Sequence, residues 1–195
     1  MRRLSIYLAG PEVFLPDAVE IGRRKKALCD GYGFDGLFPF DNEIVKSEKG
    51  KRIDHVIYAA NLEMLRKADI GIFNLTPFRG LSADVGTVFE LGAMVGLAKH
   101  VFGYSNDPDD LLTRMRNSGL AVPRDPHWLD QNGMTIEDYS NADNLMIDAA
   151  FESQGHRIVR RSVAEAERFR DLAGFEECLR AAQAEFSIRQ RAVAY

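Results

Sequence analysis

One glutamate stands in an unusually apolar stretch of the sequence. Glu90 is the only charged residue between Gly86 and Ala98, and its neighbours are Phe89 and Leu91. A carboxylate in such a segment is costly unless it has partners or faces a cavity. Near the start of a helix, the helix dipole favours its anionic form. The pattern predicts an available carboxylate nucleophile, and the alternative is an ordinary glutamate on the exposed stripe of a half-buried helix.

Two aspartates are predicted to lie close to the same strand–helix junction. Asp84 precedes the helix and can act as its N-cap, and Asp69 begins an apolar strand. Each has a plain structural interpretation, as a cap and as a strand-end residue in a turn. Together with Glu90 they supply three carboxylates. Glycosyl transfer uses one carboxylate to attack the anomeric carbon, while others handle protons and position the sugar.

Other chemistries fit the sequence poorly. The segment from Gly86 to Gly92 lacks a Walker lysine, and Gly10-Pro11-Glu12 is no dinucleotide fingerprint. The four histidines have no metal-ligand spacing, and there is no serine nucleophile elbow. We therefore expect neither a metal nor an organic cofactor. The two cysteines, Cys29 and Cys178, predict buried thiols rather than a disulfide framework.

Length and charge narrow the class of protein further. A chain of 195 residues suits a single domain over 1–195, with 186–195 as a C-terminal tail. The net charge of −4 argues against a nucleic-acid polymer as partner, and we interpret the basic run Arg23-Arg24-Lys25-Lys26 as a solvated helix surface. The apolar run from Val85 to Ala98 is too short to span a membrane, and the cysteine usage fits the cytoplasm.

Apolar periodicity predicts strands that alternate with helices. The predicted strands are residues 4–9, 34–40, 70–75, 100–104 and 157–159. The predicted helices are residues 17–32, 53–68, 85–98, 144–151 and 162 to about 186, the last with a possible break at Gly174. The pairs Asp17/Glu20 and Ser162/Glu165 are candidate caps, and residues 106–131 are expected to be irregular surface or a flap.

This alternation indicates an α/β fold, a doubly wound five-stranded parallel sheet with helices on both faces. Such sheets bind ligands at the carboxyl ends of their strands, near the topological switch point. The loops after Ala9, Phe40 and Leu75 should therefore share one rim with the start of the Val85 helix.

Several segments resemble the nucleoside 2-deoxyribosyltransferases, especially the branch with the protozoan and bacterial purine-type enzymes. They occur in the family's order and cover roughly residues 4 to 180. The matching segments are Ile6 to Pro11, Asp41-Asn42-Glu43, Ala68 to Ile70, Thr76 to Gly80, Asp84 to Gly92, and Asn144-Leu145-Met146. The most specific is Asp-x-Gly-Thr-x-x-Glu-x-Gly, from Asp84 to Gly92.

The resemblance implies a flavodoxin-like fold and transfer of 2-deoxyribose between nucleobases by double displacement. Glu90 matches the nucleophile that forms a covalent deoxyribosyl ester. Asp69 and Asp84 match carboxylates that hold the nucleophile and the base and assist proton transfer. Tyr7 matches a residue that orients the nucleophilic carboxylate.

The resemblance also implies a base pocket and a shared active site. Asn42 and Glu43 fall where the family contacts the base, while Asn144 and Met146 match residues lent by a neighbouring subunit. A homo-oligomer acting on a deoxynucleoside and a free nucleobase is therefore expected. Among the rim loops, Gly10, Gly86 and Arg79 are further candidate substrate contacts.

Two alternatives remain open. The first is a hydrolase of deoxynucleosides or their 5′-monophosphates, for which Arg79 or Ser82 would supply phosphate donors. The second is a non-catalytic nucleotide-binding module. Residues 106–131 match the family poorly, so base preference can differ, and the tail leaves the role of Tyr195 open.

Overall fold

The computed structural model describes residues 2–41 and 52–192, with side chains as far as Ser187. The strands are β1 Ser5–Ala9, β2 Asp35–Leu37, β3 Ile70–Asn74, β4 His100–Ser105, β5 Val122–Arg124, β6 His127–Leu129, β7 Thr135–Ile136 and β8 Val159–Arg160. The α-helices are α1 Ala18–Gly31, α2 Ile53–Lys67, α3 Val85–Gly96, α4 Leu111–Asn117, α5 Leu145–Glu152 and α6 Ala173–Ala192. Short 3₁₀ turns are Pro11–Phe14, Pro39–Asp41 and Glu165–Glu167.

Five strands form one parallel sheet in the order β2-β1-β3-β4-β8. Helices cover both faces, and alternate residues of strand β1 point to opposite sides, toward different helices. Ile6 and Leu8 pack in the cluster that includes α1 and α6 residues, whereas Tyr7 and Ala9 pack with α2, α3 and α5. The predicted doubly wound fold is confirmed.

The strand order reverses between β1 and β3. The chain moves outward from β1 to β2 and then returns to the other side of β1 to continue with β3, β4 and β8. Loops after β1 and β3 therefore diverge at their carboxyl ends and leave a crevice between them. The sheet topology places a ligand site at this point.

The segment predicted as irregular surface has regular structure. Residues 111–117 form α4, and β5, β6 and β7 form a separate three-stranded antiparallel sheet. The expectation of an irregular segment was wrong because these strands are only two or three residues long. Such short pieces give too few residues for a period to be visible.

The last predicted helix is also corrected at both ends. Its first part is the 3₁₀ turn Glu165–Glu167, which begins without a side-chain cap, and α6 itself starts only at Ala173. The helix then continues to Ala192, through most of the predicted tail. The capping box predicted at Ser162 and Glu165 is therefore not formed.

Three further local expectations about polar residues and a strand are corrected. The side chain of Asp17 does not cap α1; its carboxylate binds Arg170 instead. The predicted strand 34–40 is shortened to β2 and followed by a 3₁₀ turn. Lys25, interpreted as part of a solvated basic run, is buried and 1% exposed.

Both cysteines are buried free thiols, as the sequence predicts. Burial raises the pKa of Cys29 to about 12 and that of Cys178 still further. None of the helices in the described residues is long and apolar enough to cross a membrane.

Candidate active site

A cavity of about 550 Å³ opens at the switch point. Its walls come from the 3₁₀ turn after β1, the 3₁₀ turn after β2, one face of α2 and the first turns of α3. Apolar side chains from these walls include Phe14, Phe40 and Ile57. Its polar side chains are Asn61, Asp84, Thr87 and Glu90. A volume of this size is typical of sites for small organic ligands.

Glu90 lies in the second turn of α3 and faces this cavity. Its Oε1 accepts a hydrogen bond of 2.7 Å from the Tyr7 hydroxyl, and the Asn61 side chain is a second partner. Burial is the main cause that raises the pKa of Glu90 to about 7; the charge of Asp84 acts in the same direction, and the hydrogen bonds from Tyr7 and Asn61 act against it. A carboxylate that titrates near neutral pH inside a cavity is a typical feature of a functional site.

Tyr7 donates a hydrogen bond to this carboxylate from below the cavity. It lies fully buried on β1, between α2 and α3, where its hydroxyl reaches Glu90. Burial and the nearby charge of Glu90 raise the pKa of Tyr7 well above its usual value. The phenol therefore stays protonated and can act only as a donor to the carboxylate.

Asp84 combines a structural position with a place in the cavity. Its Oδ2 accepts from the backbone N–H of Thr87 at 2.9 Å and from the Thr87 hydroxyl at 3.0 Å, so it is the N-cap of α3. A Cβ on Gly86 would lie only 3.1 Å from the same oxygen. Glycine at this position thus leaves room for the capping carboxylate and for a ligand.

Gly10 has no room for a side chain. A Cβ there would lie 2.0 Å from Glu12 Oε2 and 2.7 Å from the Cβ of Asn74. Gly10 lines the cavity, so the backbone at the end of β1 forms part of its surface.

The predicted grouping of Asp69 with Glu90 and Asp84 is corrected by the structure. Asp69 precedes β3, at the amino end of that strand, and is not part of the cavity wall. Its carboxylate accepts from the Arg2 guanidinium and from the backbone N–H and hydroxyl of Ser5. Although burial alone would raise it, these partners lower the pKa of Asp69. Asp69 is therefore ionised, and its carboxylate connects the N-terminal segment to the start of β3.

Arg79 lies at the rim rather than in the cavity. Its φ of 54° is unusual for a residue with a side chain. Its guanidinium carbon lies 4.8 Å from the ring centroid of Phe14 and 4.6 Å from that of Phe78, and those two rings stack on one another. Because Phe14 also lines the cavity, the cation is held beside the entrance.

Asn144 and Met146 do not line the cavity of their own chain. Asn144 caps α5 through a hydrogen bond to the backbone N–H of Met146, and its amide nitrogen donates to Glu137. Met146 is 72% exposed. Asn42 and Glu43, the predicted base contacts, lie outside the described residues.

Asn61 is a cavity residue that was not predicted from the sequence. It lies on the cavity face of α2, one helical turn after Ile57, and contacts Glu90. A polar residue on an amphipathic helix ordinarily faces solvent, so only its four-residue spacing from an apolar cavity residue could have indicated this position.

Fold and cavity together define a flavodoxin-like α/β protein with a half-buried carboxylate facing a small-molecule site. The family model described as nucleoside 2-deoxyribosyltransferase matches residues 6–146, a stretch that includes Tyr7, Asp84 and Glu90. The chain belongs to this family. The predicted resemblance extends to about residue 180, whereas the matched region ends at 146.

Solved structures agree with this assignment. A 2-deoxyribosyltransferase from Leishmania mexicana is 31% identical, with a TM-score of 0.57 over 74% of this chain and 85% of the other. A conserved protein from Enterococcus faecalis V583, 16% identical, covers 93% of this chain and 99% of the other with a TM-score of 0.53. At that identity the second structure supports the fold alone.

An uncharacterized protein from Schizosaccharomyces pombe is 35% identical over 105 residues. That match covers 52% of this chain, and the chain spans about half the length of this curated relative.

Proposed function

We propose that this protein transfers 2-deoxyribose between nucleobases, with Glu90 as the nucleophile. The observation that supports this most strongly is the environment of Glu90, whose carboxylate is held by Tyr7 and Asn61 on the wall of a ligand-sized cavity. These hydrogen bonds offset the cost of burying the carboxylate, which still faces the cavity and can be reached by a ligand there. The membership of the family supports the same chemistry.

In the first step, an oxygen of Glu90 attacks C1′ of the bound deoxynucleoside. The bond from C1′ to the base nitrogen breaks, its electron pair leaves with the base, and a glycosyl ester forms on Glu90. A second base then attacks C1′ through its nitrogen, and the carboxylate leaves. Two inversions retain the configuration at C1′.

Asp84 is the proposed proton carrier. The departing base gains one proton and the incoming base loses one, so the two half-reactions balance without net change. Asp84 lines the cavity with Glu90, while its Oδ2 is held by Thr87. Its position at the start of α3 is fixed by capping rather than by substrate, which keeps the carboxylate in place between turnovers.

Phe14, Phe40 and Ile57 are proposed to enclose the nucleobase. Flat aromatic rings offer contact area that suits a planar heterocycle. Gly10 and Gly86 let the ligand approach the backbone closely at the ends of β1 and before α3. Asn42 and Glu43 remain predicted base contacts.

A second copy of the chain is proposed to complete the site. Next to the cavity, large apolar side chains are exposed on α2 and α3, and Tyr58 and Phe89 pair across the two helices. Val85 is 84% exposed at the start of α3. Patches of this kind mark interaction surfaces. Asn144 and Met146, exposed and outside their own cavity, are the proposed contribution of the partner.

The alternative is hydrolysis, with water as the acceptor. Arg79 is the specific observation that favours a 5′-monophosphate substrate for such a reaction. Its guanidinium is held over Phe14 at the cavity rim, where an anionic group on the sugar could pair with it.

Product analysis distinguishes these functions. The protein is incubated with deoxyadenosine alone, with deoxyadenosine plus each of a panel of free purine and pyrimidine bases, and with deoxyadenosine 5′-monophosphate, and products are separated by chromatography. We expect a new deoxynucleoside with at least one of the bases and none with the Glu90→Ala control. Free sugar without new nucleoside would indicate the hydrolase, and cleavage of the monophosphate alone would indicate a hydrolase of 5′-monophosphates. No product in any reaction would contradict both.

A further inference from the structure

A buried ion pair lies directly beneath the candidate active site. Lys25 on α1 places its Nζ 2.5 Å from Oε1 of Glu12, and both side chains are 1% exposed. Taking two charges out of water is expensive, and an apolar pair of similar volume is often as stable. The presence of the pair at this place therefore calls for a role beyond stability.

Glu12 binds more than the lysine. The same Oε1 accepts from the amide of Asn74 at 2.8 Å and from the hydroxyl of Tyr104 at 2.8 Å. Asn74 ends β3, and its Oδ1 accepts in turn from the backbone N–H and the hydroxyl of Thr76. One carboxylate oxygen thus ties the turn after β1 to α1, β3 and β4.

The aromatic surroundings of Lys25 hold its ammonium in place. Nζ lies 5.5 Å from the ring centroid of Tyr104 and 5.1 Å from that of Phe175. Tyr104 belongs to strand β4 of the sheet and Phe175 to α6, and both rings lie in the hydrophobic cluster on the α1 side of the sheet. The pair is consequently fixed by four elements that do not themselves line the cavity.

The turn that Glu12 anchors is a wall of the cavity. Gly10, Val13 and Phe14 line it, while Glu12 folds back under the turn. Its Oε2 is buried without a hydrogen-bond partner and occupies the space where a Cβ of residue 10 would lie. This contact explains the glycine before Pro11, and it couples the position of the wall to the position of the carboxylate.

We propose that Glu12, held by Lys25, is a positioning residue that fixes the 10–14 wall and so determines how tightly substrate binds. The identity of the substrate in this inference rests on the proposed function, whereas the anchoring of residues 10–14 by Glu12 does not depend on it. Glu12 and Lys25 shape the 10–14 wall that the substrate would contact on binding, and they take no part in the chemical step. Loss of the anchor should therefore weaken binding and leave the chemical step largely intact.

The test compares the steady-state kinetics of two double variants, under conditions in which both are folded. Glu12→Met/Lys25→Met removes charge and acceptor together, whereas Glu12→Gln/Lys25→Met removes charge but keeps an oxygen for Asn74 and Tyr104. For deoxyadenosine, we expect the first to raise KM at least about tenfold with kcat within about threefold, and the second to raise KM by a smaller factor, because its amide oxygen can still accept from Asn74 and Tyr104. A parental KM in the first variant, once it is folded by circular dichroism, would overturn the proposal.

A milder pair of variants covers the case in which the double methionine variant does not fold. Tyr104→Phe deletes the hydroxyl that donates to Glu12. Tyr32→Phe is the matched control, because the Tyr32 hydroxyl donates to Glu176 at 2.7 Å and neither residue lines the cavity. We expect KM to rise about threefold or more in the first and to stay parental in the second. Equal KM values in the two variants would overturn the proposal.

Hydrogen–deuterium exchange gives a readout that does not depend on turnover. In Glu12→Met/Lys25→Met, or in Tyr104→Phe if the double variant does not fold, we expect the amides of residues 12–15 to exchange faster while α3 exchanges as in the parent. If exchange becomes faster throughout the protein, or does not become faster at residues 12–15, the ion pair contributes only to stability and the proposal is wrong. If the parent turns over no deoxynucleoside, the proposed function fails while this measurement still decides the positioning role.

Discussion

At the scale of single residues, the central feature is a carboxylate whose environment opposes its charge. Glu90 is ringed by apolar neighbours on α3, and burial raises its pKa to about 7. Tyr7 and Asn61 supply the compensating hydrogen bonds. The folded protein thus holds a group that is costly to bury but reactive when ionised, a balance common at active sites.

The pH profile of the reaction should report this balance. The ionised form of Glu90 is the nucleophile, so kcat/KM should fall as the pH falls below about 7, by about tenfold for each unit. Asn61→Ala removes a hydrogen bond that lowers this pKa and should move the acid limb to higher pH. Rates measured from about pH 5 to about pH 9 check both statements. An acid limb near the ordinary glutamate value of 4.5 would contradict them.

The same carboxylate should cost stability at high pH. Glu90 has a pKa of about 7 when folded and an ordinary value of 4.5, so the folded state loses stability as the pH rises from 4.5 through 7. Glu90→Gln removes this cost and should stabilise the protein by about 3 kcal/mol at pH 8 and by about 1 kcal/mol or less near pH 5. Thermal melts at the two pH values test this. If the stabilisation is equal at the two pH values, or larger at the lower one, the prediction that Glu90 costs stability as the pH rises is wrong.

At the scale of elements, α3 combines a cap, the proposed nucleophile and a cavity wall within two turns. Its N-cap Asp84 accepts from Thr87 and faces the cavity, and Glu90 follows on the same side. The short strand β1 supplies Tyr7 from below, and α2 supplies Asn61 from the side. The chemistry therefore depends on how three elements pack, and not on one motif.

Two substitutions separate the capping and proposed catalytic roles of Asp84. Asp84→Asn keeps an oxygen for the Thr87 amide and should leave the melting temperature nearly unchanged, whereas Asp84→Ala should lose about 1 kcal/mol. Both should lower kcat by about 100-fold or more, because neither can carry a proton. Melting curves and steady-state kinetics are the measurements. Full activity in Asp84→Asn would limit this residue to the cap.

Much at this scale could be predicted from the sequence. The run from Val85 and the apolar strands are long enough for their periods to be recognised, and the N-cap Asp84 precedes its helix as predicted. The burial of Lys25 and the position of Asn61 could not be predicted, since both depend on contacts between distant segments. Asp69 could have been placed correctly, because a residue that begins a parallel strand lies at the amino edge of the sheet, opposite the edge where ligands bind.

At the scale of the whole molecule, the strand order 2-1-3-4-8 brings the cavity to the switch point and separates it from Asp69 at the other edge. The exposed helix faces beside the cavity and the exposed Met146 support the proposal that a second copy of the chain supplies a further wall of the cavity. The family assignment rests on residues 6–146, which include every cavity-lining element.

Subunit mixing should reveal the shared site. Glu90→Ala and Asn144→Ser chains are each expected to be inactive or nearly so, and serine keeps a capping oxygen for α5. Co-expressed, they should regain partial activity, because some sites then combine an intact Glu90 with an intact Asn144 of the partner.

The matched control mixes Glu90→Ala with Asp84→Ala. These residues line one cavity in one chain, so no mixed oligomer contains a complete site and activity should stay absent. Recovery in the control, or none in the test mixture despite verified mixed oligomers, would contradict the borrowed role of Asn144.

The identity of the nucleophile is the central claim, and trapping the sugar ester tests it most directly. A 2-fluoro-arabino nucleoside destabilises the oxocarbenium-like transition state and slows release of the ester. Intact mass spectrometry should show one added fluorosugar for each chain, fragment mapping should place it on Glu90, and Glu90→Ala should remain unmodified. An adduct on any other residue, or equal labelling of Glu90→Ala, would contradict the account.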